Sequence, residues 1–243
     1  MYNTRVKSKN KTEKRLVIKE ECQSLHYHNG KPGALALTAL ASFPGSGSSW
    51  FRHLIHQLTG IYTGSVNNTK EGHTSDEFQA DGVTNNSVIA IETNEKSFNV
   101  GTVKFERTIL LVRDPFVSIL ADFNRRNEVS HIVQDWESYA QVQSYAWQFF
   151  MRYWLEFSSV GPLLVVEYEN LGTQLEMELL RLAKFLNVAV DQRVLHCILK
   201  NANGRFGSTP SQTQNSPYSR KVQDILIKGK NDIYGELHKL KNI

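Results

Sequence analysis

Ser42-Phe43-Pro44-Gly45-Ser46-Gly47-Ser48-Ser49-Trp50 closes an apolar run, Leu35 to Phe43, and opens a segment in which Trp50, Phe51, Leu54, Ile55 and Leu58 share one helical face before Gly60. The order is strand, glycine turn, helix. Small residues in such a turn let backbone N–H groups wrap a phosphate, and the helix N-terminus adds partial positive charge and free donors. Ser48 and Ser49 add hydroxyls. A tight turn needing glycine for backbone geometry alone would look alike in composition; the apolar strand before it and the amphipathic helix after it favour phosphate. Gly45, Ser46, Gly47, Ser48, Ser49 and Trp50 are therefore the candidate binding residues. Triphosphate hydrolysis is disfavoured, because the GxxxxGK[ST] loop needs a Lys on the phosphates and none lies between Lys31 and Lys70.

The same alternation continues along the chain. Ser87 to Thr93 reads as a buried strand, and a polar, Asn- and Gly-rich stretch from Tyr62 to Asn86 before it reads as a loop. Thr108 to Val112 is an unbroken apolar strand ending in Arg113-Asp114-Pro115, with Pro115 suited to the first turn of a helix reaching about Arg126. A long helix from Trp136 to about Phe157, a strand from Leu163 to Tyr168, helices over Leu175 to Leu186 and Asp191 to Leu199, and a final basic helix complete the pattern. Continuous apolar strands between helices imply a parallel sheet covered on both faces. The expected fold class is α/β, a three-layer P-loop-type sandwich. Residues 1–33 read as a basic, polar extension and 34–243 as one domain, with neither repeat nor second boundary.

The chain has 243 residues, 40% hydrophobic and 21% charged, which suits one domain with a sizeable core and excludes disorder, collagen and disulfide-rich toxins. Its net charge of +4 is unevenly spread: residues 1–20 carry +5, leaving −1 for the remainder. The basic balance belongs to the tail, so a nucleic-acid partner is not expected. No window approaches the ~18 consecutive apolar residues of a membrane span, and no apolar signal core follows Met1. The two cysteines, Cys22 and Cys197, allow at most one disulfide and no thiolate metal site; Cys197, in a helical context, reads as a packed thiol. Sequons begin at Asn10, Asn67 and Asn85 and matter only in the secretory pathway. Trp136, Trp147 and Trp154 follow helical spacing and read as core.

The run from Leu37 to Gly64 resembles the phosphosulfate-binding region of sulfotransferases, and is most similar to the sulfotransferase domain of the WSC-domain-containing family. The resemblance extends to the chain end, although the family's WSC modules and membrane anchor are not in this sequence. It implies 3′-phosphoadenosine 5′-phosphosulfate (PAPS) as sulfo donor, in-line transfer without a metal, a carbohydrate hydroxyl as acceptor, and a location in the Golgi lumen or membrane. It also implies that Arg113, at its strand end, holds the 3′-phosphate. The Ser usual eight residues on is Ala121 here; Ser118, on the same side of the helix, and Arg125 are the substitutes. Arg205, in the Gly- and Ser-rich stretch after Asn201, corresponds to a region that folds over the nucleotide. Leu164 to Leu171 is similar to the family's fourth strand and its acidic turn, to which no catalytic role is assigned.

Two positions depart from the usual sulfotransferase pattern, the first of them in a way that relatives in the WSC-domain family share, since they are similar to this chain in using Pro-Gly-Ser-Gly. The usual Lys beside the loop proline is Gly45, and the Lys-Thr-His that ends the second strand is Glu92-Thr93-Asn94. Asn accepts no proton at neutral pH; the resemblance, since Glu serves as base in some carbohydrate sulfotransferases, implies Glu92 or Glu95 as the candidate base. Three readings stay open: an active sulfotransferase, a catalytically impaired relative that binds nucleotide without efficient turnover, and a P-loop kinase whose Lys comes from elsewhere.

Overall fold

The computed structural model describes residues 28–31, 33–66, 78–101, 103–130, 135–201 and 216–241. Strand β1, Thr38–Ser42, enters the loop and helix α1, Ser48–Thr59. Strands β2, Gly64–Ser65, and β3, Ile91–Thr93, follow, then a small antiparallel pair, β4, Asn99–Val100, and β5, Val103–Lys104. Strand β6, Arg107–Val112, leads into α2, Pro115–Ser130, and α3, Trp136–Leu155. Strand β7, Leu163–Glu167, is followed by α4, Tyr168–Thr173, α5, Leu175–Leu186, α6, Gln192–Asn201, and α7, Arg220–Lys241.

The central sheet has the order β2-β3-β1-β6-β7, with every pairing parallel. Its strands are apolar without a break because both faces are covered, and the two-residue period divides each strand between two cores. Ala39, Ala41, Leu110 and Val112 face Trp147, Phe150 and Trp154 of α3 and Val222, Leu226 and Ile233 of α7. Leu40, Ile109 and Leu111 face Phe51 and Leu54 of α1, Leu179 and Leu182 of α5, and Ile198 of α6. This is the three-layer α/β sandwich that the apolar alternation implies.

Element ends differ from the sequence reading where a hydrogen-bonding neighbour runs out. β1 is shorter than Leu35 to Phe43, and Ser87 to Ala90 lead into β3 without belonging to it. β2 forms inside the stretch expected to be loop, because Gly64 and Ser65 pair with Ile91 and Glu92. Within the stretch read as an extension, residue 28 is tied to the rest by His28 N–H to the Gly60 carbonyl and Tyr62 N–H to the His28 carbonyl, both 3.0 Å. Of the three tryptophans, Trp147 and Trp154 are fully buried, while Trp136 is partly buried against Phe123 and Tyr218.

Parallel strands open at a common edge. The chain leaves β1 for β2 and β3 on one side and then crosses to β6 on the other, so a crevice forms at the β1 end, the usual ligand position in such sheets. Phe43, Asn94, Arg113 and Tyr168 are the residues that follow the four longer strands there.

Candidate functional site

The turn after β1 is closed by Ser46 N–H donating to the Phe43 carbonyl at 3.0 Å. Gly45 and Gly47 both adopt positive φ, +79° and +86°. Neither has room for a side chain: a Cβ on Gly45 would lie 2.0 Å from the Ser118 carbonyl of α2, and one on Gly47 would lie 2.3 Å from the Tyr168 ring. The loop is thus pressed between α2 and Tyr168. Gly47 is also the N-cap of α1; it offers no side-chain cap, and the first turn carries no acidic residue, so the positive end of the helix faces the loop. Ser46 is 1% exposed, and its hydroxyl has no hydrogen-bond partner among the described residues. An orphaned hydroxyl inside a Gly-walled cradle fits an anion that supplies the missing acceptor.

Arg113, 7% exposed, closes the adjacent side. Its Nη1 donates to the Gly45 carbonyl at 3.0 Å, and its guanidinium lies 4.1 Å from the centre of the Tyr168 ring. Burial lowers its pKa below the ordinary arginine value, opposed by Tyr168, Glu169 and Asp114, and it stays cationic. The strand end is held in turn by Asp114, which accepts from Phe116 N–H at 2.9 Å and from Lys230 Nζ of α7 at 2.5 Å. Glu169 of α4 accepts from Asp114 N–H at 2.9 Å. Tyr168 meets Trp50 edge to face at 5.3 Å between ring centres. Trp50 also lines a cavity of about 910 Å³ walled by Leu171, Leu175, Met177, Leu180 and Leu199.

Glu92 stands beside the loop. Its Oε1 accepts from Ser48 Oγ at 2.6 Å, and its Oε2 from Arg52 Nη1 at 3.2 Å and Ser65 Oγ at 3.4 Å. Arg52, 2% exposed, is the hub of this region: it also pairs with Asp81 at 2.5 Å, donates to Thr63 Oγ1 and to the Thr63 carbonyl, and stacks 4.2 Å over the Phe78 ring. His56 Nε2 accepts from Thr63 N–H at 2.8 Å, which places the ring proton on Nδ1. Burial, then the Arg52 and His53 charges, lower the His56 pKa from 6.5 to about 3, so it is neutral at physiological pH.

The remaining sequence candidates sit differently. Glu95 follows β3 with an exposed side chain, its carbonyl accepting from Trp154 Nε1 at 3.0 Å. Ser118 does not present its hydroxyl to the loop: it is fully buried and donates to the Asp114 carbonyl at 3.1 Å, a helical back-bond that leaves only its backbone against Gly45. Arg125 pairs with Asp122 at 2.6 Å, as does Arg126 at 2.8 Å. Asp122 is 1% exposed; burial alone would raise its pKa, but hydrogen bonds from Tyr139, Arg126 and Arg125 outweigh that and lower it. Arg205 lies outside the described residues. Cys197 is disulfide-bonded, not the packed thiol its helical context suggested, and the sequence has one other cysteine, Cys22. Sequence reasoning passed over Arg52, Asp81 and Tyr168. The Tyr168-Glu169 pair after an apolar strand was the available signal for the last; an Arg on the apolar side of α1 was the signal for the first.

Comparison with known proteins settles the family. A family model described as "Sulfotransferase domain" matches residues 38–223, from β1 into α7. A WSCD family member of Aedes aegypti is 31% identical over 226 residues, spanning 88% of this chain and 70% of that protein. The chain belongs to the sulfotransferase family, in its WSCD branch. A WSCD family member of Drosophila melanogaster is likewise 31% identical over 213 residues, 83% of this chain and 66% of its own length. The crystal structure of mouse sulfotransferase SULT7A1 complexed with PAP superposes with a TM-score of 0.51 at 16% identity, covering 87% of this chain and 80% of that one. That likeness concerns the fold. In this sulfotransferase domain the glycine turn, Arg113 and the Glu92 cluster stand together at the strand-end crevice.

Proposed function

We propose that this domain moves a sulfo group from PAPS to a hydroxyl of a carbohydrate. The observation that carries the reading is the buried Ser46 hydroxyl, without a partner among the described residues, inside a cradle that excludes any Cβ at Gly45 and Gly47. The 5′-phosphosulfate would lie on the amides of Ser46 to Trp50, the 3′-phosphate beside Arg113, and the purine in the cavity next to Trp50. Titration of PAP, the desulfated donor, against ATP with magnesium tests it. Binding of PAP with weaker binding of ATP is expected; tighter binding of ATP overturns the proposal in favour of a kinase-like loop.

In the transfer, the acceptor oxygen attacks sulfur as the bond from sulfur to the bridging oxygen breaks, and negative charge develops on the departing phosphate. Loop amides and the α1 N-terminus stabilise that charge. Gly45 supplies no cation to the loop. Ser48 has one hydroxyl proton, which points to Glu92. When that proton turns to the donor's phosphate, Glu92 Oε1 is left open to take the acceptor's proton. Glu95, exposed at the same edge, is the other candidate. The donors around Glu92 support a second reading, a nucleotide-binding relative with little turnover: PAP binding without sulfate transfer across a glycan panel selects it. A disulfide at Cys197 supports work in an oxidising compartment, in keeping with the Golgi lumen.

A further inference from the structure

The sequon Asn85-Asn86-Ser87 takes no part in the chemistry above, yet it occupies a distinctive place. Asn85 is exposed, in a turn where its Oδ1 accepts from Ser87 N–H at 2.9 Å and its carbonyl from Val88 N–H at 3.4 Å. The flanking chain is anchored: Gly30 N–H donates to the Ser87 carbonyl at 2.7 Å, and Gly33 N–H to Asn86 Oδ1 at 3.0 Å. The turn precedes β3, and β3 runs from it toward Asn94 and the loop. Asn85 therefore lies at the sheet edge opposite the nucleotide site, where a bulky group obstructs neither donor nor acceptor. Position 86 is Asn, not Pro, so the motif is intact.

A sequon has consequences only in a chain that meets the glycosylating machinery, and the disulfide at Cys197 is a separate mark of that route. We infer that Asn85 is an N-glycosylation site of this protein; the inference rests on the proposed passage through an oxidising secretory compartment. The reaction joins Asn85 Nδ2 to C1 of the first sugar of a lipid-diphosphate-linked oligosaccharide. The bond from C1 to the diphosphate oxygen breaks, one amide proton is released, and the lipid diphosphate departs.

The test uses the full-length protein made in secretion-competent eukaryotic cells. Non-reduced protein is alkylated, then digested with peptide N-glycosidase in heavy-oxygen water and mapped by mass spectrometry. Expected is a heavy Asp at position 85 in most molecules, with Cys197 protected from alkylation. Asn85→Gln and Ser87→Ala should each abolish that signal, Ser87→Thr should retain it, and none should alter PAP affinity. An unmodified Asn85 beside an oxidised Cys197 overturns the site while the compartment stands. An unmodified Asn85 beside an alkylated Cys197 overturns both. Peptide mapping keeps modification at Asn10 or Asn67 from being counted for Asn85.

Discussion

Arg113 and Glu92 divide the work of the crevice, and their replacement should separate binding from turnover. Arg113→Ala removes a buried cation and its hydrogen bond to the Gly45 carbonyl. A charged hydrogen bond contributes about 1.5–3 kcal/mol, so PAP affinity should fall roughly 10- to 100-fold by calorimetry. Glu92→Gln keeps the shape of the carboxylate but cannot take a proton. If Glu92 is the base, kcat should fall about 10²- to 10⁴-fold with PAP affinity little changed. Should Glu92→Gln turn over normally and Glu95→Gln not, the base is Glu95. Gly47→Ala should lower both Tm and PAP affinity, since its methyl group would enter the Tyr168 ring at a φ of +86°.

At the scale of elements, α1 does more than point its N-terminus at a phosphate. Arg52 and His56, one turn apart, fasten it to the chain entering β2 and to β3. Arg52→Met would leave Asp81 and Glu92 facing each other without their cation, and breaking such a pair costs about 3–5 kcal/mol. Urea unfolding at neutral pH should show that loss. His56 acts in the opposite direction. Its folded pKa, about 3, lies below the ordinary 6.5, so the unfolded chain binds the proton first. Its contribution is complete above pH 6.5 and is lost as pH falls toward 3; Gln at position 56 should flatten that part of the stability profile. Much of this arrangement was legible beforehand. The glycine turn between strand and helix, and the Arg at the end of an apolar strand, are local patterns. Arg52 and Tyr168 were not legible, because Arg52 bonds to residues 11 to 40 positions away, Tyr168 meets Trp50 and Arg113 from distant parts of the chain, and no periodicity encodes such pairings. Ser118 misled for a related reason: position on a helix does not reveal that a hydroxyl will bond to its own backbone.

For the whole molecule, the net charge turns out to be a poor guide to the ligand. A domain of charge −1 gathers an uncapped helix end, loop amides and a buried Arg113 at one edge, which suffices for a local anion site. The basic tail is a separate matter. Raising salt should therefore weaken PAP binding far less than it would weaken a protein relying on a broad basic surface. Reduction of the Cys197 disulfide should lower Tm, in line with a typical contribution of about 2–4 kcal/mol.

The contact between Lys230 and Asp114 spans 116 residues, and Tyr218 Oη likewise donates to the Phe116 carbonyl across 102. Both hold the start of α2, against which the glycine turn is pressed. During synthesis, then, the ribosome releases every strand of the sheet well before the helix that braces the Arg113 corner. The newborn chain can assemble its sheet while the Arg113 corner is still unbraced, and that corner is fastened only once Tyr218 and Lys230 have emerged.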